Sequence, residues 1–162
     1  SLIEVMIVLS ILSVFSIFLV SLVITSQNAV SIQNNAVPVR AEAKQTMEAM
    51  VKELREADLS APGGITVGGT NNSQITFRVP NQVSQAAVLS WRQIQFSHDA
   101  NVQQVTRTEN GTNTILGRNV QSLQFGQSQN GNVITAAIVT SRVTSGGANI
   151  QATLNAQIKP RN

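Results

Sequence analysis

From Leu2 to Thr25 the chain is almost wholly apolar, and the only charge in those 24 positions is Glu4. A run that long and that apolar predicts a helix able to span a membrane. At about 1.5 Å per residue it reaches roughly 36 Å, against a hydrocarbon core of about 30 Å. A carboxylate inside such a run costs about 2.5–3.5 kcal/mol at mid-membrane and less near an interface. A group that costly calls for a partner, and a positive charge on something packed against this helix would supply it. Ser10, Ser13, Ser16 and Ser21 punctuate the run, with no Gly or Pro among them. The spacing of three places Ser10 with Ser13, and Ser13 with Ser16, on a shared face. There they either let another helix approach closely or bond back to their own preceding turn.

Residues 26–35 turn polar but uncharged, still compatible with helix, although their Asn residues are weak helix formers. Pro38 has no amide hydrogen, so a kink, or a new helix starting near Asn34–Val37, is expected there. This makes Pro38 the candidate hinge. From Arg40 to Asp58 the pattern is amphipathic. Ala43, Met47, Met50, Val51 and Leu54 recur at helical spacing and form one stripe predicted to pack on a sheet. Lys44, Glu48, Lys52 and Glu56 alternate in sign four residues apart, the pattern of a solvated face. The sequence Ser60-Ala61-Pro62-Gly63-Gly64 is expected to end the helix.

Beyond it the period changes from helical to alternating. Ile75–Val79 reads as a strand stopped by Pro80. Trp91–Phe96 places Trp91 and Gln93 on one face and Ile94 and Phe96 on the other. His98–Asn101 reads as a turn into Val102–Glu109, and Asn110-Gly111 as a tight hairpin. Val120–Phe125, Ile134–Val143 and Ile150–Ile158 read as further strands. A second hairpin is expected at Asn130-Gly131, and a loop at Thr144–Asn149. Connections this short predict an antiparallel meander. The class is α+β: an apolar helix at 1–25, an amphipathic continuation at 26–59 with a break near Pro38, and a β head at 60–162.

Neither a basic leader nor a short apolar core of roughly 7–15 residues is present, so the run does not read as a signal peptide. A plain single-pass anchor would account for the apolar residues but not for Glu4. The opening Ser1-Leu2-Ile3-Glu4-Val5-Met6-Ile7-Val8-Leu9 resembles the start of a mature type IV pilin or type II secretion pseudopilin. In that family an N-methylated Phe precedes the motif, which implies one residue before Ser1. The resemblance is specific over about the first thirty residues and architectural beyond them. It implies a long helix laid across a β head, the pilin fold. It also implies that Glu4 pairs with the amino terminus at Ser1, or the residue before it, of a neighbouring subunit. Leu2, Ile3, Val5, Ile7, Val8, Leu9, Leu12, Phe15 and Phe18 would then pack in a filament core. The partners implied are identical subunits, the inner membrane before assembly, and the pilus assembly machinery. Two roles follow: major subunit of an extracellular filament, or a minor pilin or pseudopilin that primes or caps one. The order of the head's strands also looks like some minor pilins and larger pseudopilins. Many members close a C-terminal loop with a disulfide. With no cysteine here, that end must be held by packing or by calcium.

Charge is uneven along the chain. Residues 1–39 carry Glu4 alone, residues 40–58 are net −1, and the remainder is net +5. The seven basic residues of the head (Arg78, Arg92, Arg107, Arg118, Arg142, Lys159 and Arg161) are scattered singly, a pattern that solubilises strands or bridges subunits more readily than it reads nucleic acid. Aromatics are 4% of the chain, too few for a base-stacking platform or an aromatic pocket. His98 beside Asp99 lacks a nucleophile for a triad and further ligands for a metal. Gly63-Gly64 and Gly68-Gly69 lack the Lys-Ser/Thr of a phosphate loop and read as flexible loop. The acidic residues are too dispersed for a calcium cage, although carbonyls of the Gly146-Gly147 loop are candidates for weak binding. No cofactor and no catalytic residue is expected.

Overall fold

One helix, α1 (Leu2–Glu56), runs for 55 residues, about 82 Å. In the computed structural model, residues 1–83, 88–129, 132–144 and 146–161 are described, and the hairpin expected at Asn130-Gly131 lies outside them. The head has eight strands: β1 (Thr66–Gly68), β2 (Gln74–Val83), β3 (Val88–Asp99), β4 (Gln104–Glu109), β5 (Thr112–Gly117), β6 (Val120–Gln127), β7 (Ile134–Val143) and β8 (Asn149–Ile158). Together with α1 they give a long helix packed on antiparallel sheets, an α+β arrangement. The single meander expected from the sequence is divided in two. One sheet has the order β1-β2-β3-β4-β5 and the other β6-β7-β8, each pair antiparallel.

The predicted helical stripe is the face that meets the sheets. Ala43, Met47, Met50 and Leu54 are buried, with Val51 packed against them. Val39 and Thr46 belong to the same face and are buried too. Met47, Met50 and Leu54 join Ile75, Phe77, Ile94 and Phe96 from the first sheet and Leu123, Ile134, Ile138 and Ile158 from the second in one core. Phe77 and Phe96 lie across β2 and β3 with ring centroids 5.3 Å apart, a tilted aromatic contact.

The helix carries through Pro38, which sits inside it on an exposed position. Proline supplies no amide to the Asn34 carbonyl. Burial of Val39 and Ala43 immediately afterwards holds the chain helical across that gap. The far end comes earlier than Ser60–Gly64: α1 stops at Glu56 and Ala57 is extended, with φ −61° and ψ 135°. Its continuation is drawn into backbone pairing, Asp58 N donating to Arg78 O at 3.1 Å and Leu59 N to Arg161 O at 3.2 Å. Arg161 N in turn donates to Ala57 O at 2.9 Å. With Ile158 and Pro160 buried just before it, this pairing holds the end of the described chain without a disulfide.

Several strand boundaries differ from expectation. β3 keeps His98 and Asp99, expected in a turn, and β4 starts at Gln104 and not Val102, because His98 and Asp99 pair with Val105 and Gln104. β2 continues past Pro80, because β1 covers only Gln74–Thr76 and leaves the outer edge of β2 open where the amide is missing. A register irregularity between Pro80 and Gln82 absorbs the mismatch. Gly68 ends β1 rather than lying in a free loop. The Asn110-Gly111 turn joins β4 to β5 with φ of 50° and 81°, the left-handed pair that a two-residue hairpin demands.

Candidate functional site

The apolar residues from Leu2 to Ile24 touch nothing else in the chain. Leu2 is 80% exposed, Phe15 58% and Phe18 62%, and no residue in the most apolar stretch of the helix is buried. Ordinary folded chains do not leave a contiguous apolar surface of this size in water; one marks a membrane or protein interaction surface. The helix is long and apolar enough to cross a membrane.

Along this arm the four serines and Thr25 behave as local bonding groups. Ser10 donates to Met6 O at 2.8 Å, Ser13 to Leu9 O at 2.7 Å and Ser16 to Leu12 O at 2.8 Å, while Ser21 O accepts from Thr25 at 2.9 Å. The hydroxyls of Ser10, Ser13 and Ser16 therefore enter any interface already satisfied, and what they offer a partner is small size. Ser10, Ile11 and Val14 leave a hollow against the rings of Phe15 and Phe18, and Ser21, Thr25 and Ala29 leave another below Phe18. Knobs and hollows on one rod are the raw material of helix-on-helix packing.

At the tip, the Glu4 carboxylate accepts a hydrogen bond from the Ser1 amino nitrogen, and Glu4 N donates to Ser1 O at 3.1 Å. Ser1 and Glu4 thus stand in the relation of N-cap and third helical residue, where a carboxylate also favours the positive end of the helix dipole. Both side chains are well exposed, at 65% and 79%, so the pair faces outward.

The head grips the upper half of the helix through charges as well as the core. Arg107 on β4 donates from Nε to both Glu53 oxygens at 2.8 Å and from Nη2 to Glu109 Oε2 at 2.5 Å. Arg92 on β3 reaches Glu109 at 3.3 Å and Glu56 at 3.8 Å. Glu109 is held below the usual carboxylate range, first by the Arg107 hydrogen bond, with burial working the other way and the Arg107 and Arg92 charges adding to it. Burial pulls Arg107 down, but its bonds to Glu53 and Glu109 outweigh it and leave the guanidinium raised. Lower down, the Glu42 carboxylate accepts from Arg118 N at 3.2 Å and from Asn119 Nδ2 at 3.1 Å, fixing the passage from β5 to β6. Of the alternating charges, Lys44 and Glu48 pair in solvent at 3.7 Å, while Glu56 faces Arg92.

His98 and Asp99 are structural. The His98 Nε2–H donates to Val120 O at 2.8 Å, tying the two sheets, and Asp99 Oδ1 accepts from Asn101 N at 2.8 Å in the turn after β3. They border a polar groove of about 560 Å³ shared with Asn71, Ser73, Gln121 and Gln124. Among the described residues no three His, Cys, Asp or Glu side chains converge as a metal site. In the Gly146-Gly147 loop, Gly147 N donates to Thr144 O at 2.9 Å and Thr144 N to Ala148 O at 2.8 Å, so two of its carbonyls are already engaged.

The structure thus separates the sites expected from sequence. Ser1, Glu4 and the arm residues Leu2, Ile3, Val5, Ile7, Val8, Leu9, Leu12, Phe15 and Phe18 lie together on a bare rod. Ala43–Leu54 lie under the head, and Pro38 lies between them. Sequence reasoning missed the Glu53–Arg107 pair, whose members are 54 residues apart, and the Glu42 contact, because no local pattern links them. Compared with protein-family models, curated proteins and solved structures, the chain finds no match.

Proposed function

We propose that this protein is the structural subunit of a type IV pilus, polymerising through its apolar arm into a helical extracellular filament. The observation that supports the reading best is the arm itself: a bare apolar helix that begins Ser1-Leu2-Ile3-Glu4 and joins directly onto a folded head. In this reading the arm first sits in the inner membrane. The assembly machinery then draws it out into a bundle of identical arms, where apolar burial replaces lipid. Glu4 exchanges its contact within the chain for the amino terminus of a neighbouring subunit. An unpaired carboxylate in that bundle carries the penalty of a buried charge, so correct register is favoured and misregister is costly. The heads tile the outside of the fibre.

The decisive experiment replaces Glu4 with Ala. The variant is expected to remain in the inner membrane, since losing a charge only eases insertion, while surface filaments disappear or fall sharply. Normal filament yield from Glu4→Ala would refute the assembly role. Electron microscopy of sheared filaments, with mass spectrometry of their main band, separates the major subunit from the alternative. A minor pilin or pseudopilin would appear in traces within a fibre made of another chain.

A further inference from the structure

The register of the second sheet places Gly126, Thr135 and Gln157 in one row across β6, β7 and β8, and Gln124, Ala137 and Asn155 in the next. Their sequence neighbours Phe125, Ala136 and Ile138 are buried in the core, so these rows lie on the outer face. Small groups stand on the central strand, with longer amides on the strands beside it. The difference leaves a trough of about 400 Å³ along β7. At one end a strut crosses it, Gln151 on β8 donating from Nε2 to Gln121 Oε1 on β6 at 3.0 Å.

Gln124 lines this trough and also the polar groove of about 560 Å³ on the far side of β6, where Asp99 and Asn71 lie. The two hollows meet at that one side chain, and each has the size of a small-molecule site. Their charge is the telling property. The head is net +5, yet none of its seven basic residues lines either hollow, and among the described lining residues Asp99 alone is a charged group. A phosphate, sulfate or carboxylate ligand would find no cation here.

What the surface does offer is hydrogen bonding. The amides of Asn71, Gln124, Asn155 and Gln157 are exposed, and none is taken up by a bond within the chain. Each is donor and acceptor at once, which matches a hydroxyl, itself both. Asp99 commits Oδ1 to Asn101 N and leaves its other oxygen to accept. Ala137 and Thr135 give the trough floor methyl groups, against which the C–H face of a ring can rest. A peptide strand fits less well. It binds through backbone groups at a free edge, whereas β7 is paired on both sides and presents side chains only.

We propose that the β7 trough and the groove at Asp99 together form a binding site for a neutral oligosaccharide, with Gln124 at its centre, Asn155 and Gln157 on one side and Asn71 and Asp99 on the other. The site belongs to the head alone and does not depend on the filament reading.

The test uses the full chain in a phosphocholine detergent, which carries no sugar. Maltoheptaose, cellohexaose and chitohexaose serve as neutral probes and oligogalacturonate as the charged one, with binding followed by the side-chain amide signals in nuclear magnetic resonance. At least one neutral probe should shift the signals of Gln124 and Asn155 and saturate, and oligogalacturonate should not. Gln124→Ala should weaken that binding about tenfold, the loss of one or two hydrogen bonds. Ala137→Arg should abolish it by filling the trough, while Gln93→Ala, on the first sheet, should leave it unchanged. Unfolding curves followed by Trp91 check that each variant is folded. Failure of all three neutral probes to saturate overturns the proposal. So does tighter binding of oligogalacturonate, or full binding by Gln124→Ala, which places the sugar elsewhere. Shifts at Gln124 that follow protein concentration without sugar assign the face to a second copy of this chain and overturn it as well.

Discussion

Arg107 adds a charged clasp to the apolar contact between the five-stranded sheet and the helix, and Arg107→Met measures that clasp. Methionine keeps the apolar stem and removes three hydrogen bonds, two to Glu53 and one to Glu109. Bonds to charged groups contribute about 1.5–3 kcal/mol each when taken singly. They do not sum here, because all three share one guanidinium. Arg107 is 15% exposed, with Glu53 and Glu109 at 25% and 23%. That places the cluster between exposed pairs, at about 0–1 kcal/mol, and buried pairs that cost about 3–5 kcal/mol to break. Removing Arg107 also leaves two carboxylates near each other with Arg92 as the remaining cation on Glu109. The expected loss is about 2–3 kcal/mol. For a head of this size that lowers Tm by about 6–15 °C. The assay is thermal unfolding of the full chain in detergent, followed by the fluorescence of Trp91, the single tryptophan, which is next to Arg92 on β3. A cycle with Glu53→Gln should give a coupling of about 1–2 kcal/mol. A Tm within about 3 °C of the parent, or a cycle with no coupling, would refute the reasoning and reduce the cluster to surface decoration.

The lowered Glu109 fixes the sign of a pH effect: its contribution is present above the carboxylate's unfolded pKa of about 4.3 and is lost as pH falls through the lower folded value. Acid titration of stability should therefore be shallower in Glu109→Gln than in the parent; equal curves would place the acid response elsewhere. Gly117 is needed for close approach, since a Cβ there would stand 2.9 Å from Thr46 Cγ2 and closer still to its hydroxyl. Gly117→Ala should cost about 1–3 kcal/mol in chemical unfolding, with part recovered by adding Thr46→Ala; no recovery would mean that the strain lies in the backbone.

How much of this was legible in the sequence varies with the range of the interaction. The stripe from Ala43 to Leu54 and the alternation in β3 and β7 follow from periodicity, because burial on one face writes its own pattern. The Asn110-Gly111 turn is local chemistry and was readable for that reason. Division into two sheets was not, since it depends on which edges meet after Asn119, where φ is 55° and the chain passes from β5 to β6. Nor was the strand through Pro80, where tolerance comes from the missing neighbour on one edge of β2. For the candidate site, the arm and Glu4 were plain from composition. The approach of Gly146 to Asn28 Oδ1 was not, because it is set by how far the second sheet reaches along a helix it contacts.

The pairing of Arg161 with Ala57 and Leu59 has a mechanical meaning. It ties the end of the described chain to the helix exit, at the end of the head opposite the bare arm. A pull on the arm directed away from the head enters along the axis of α1, parallel to the Val39–Leu54 seam. Side chains along that seam are strained side by side, as in a lap joint, and do not open one after another like a zipper. Because the tie at Arg161 lies beyond the seam, tension on the arm reaches it only after the seam has slipped.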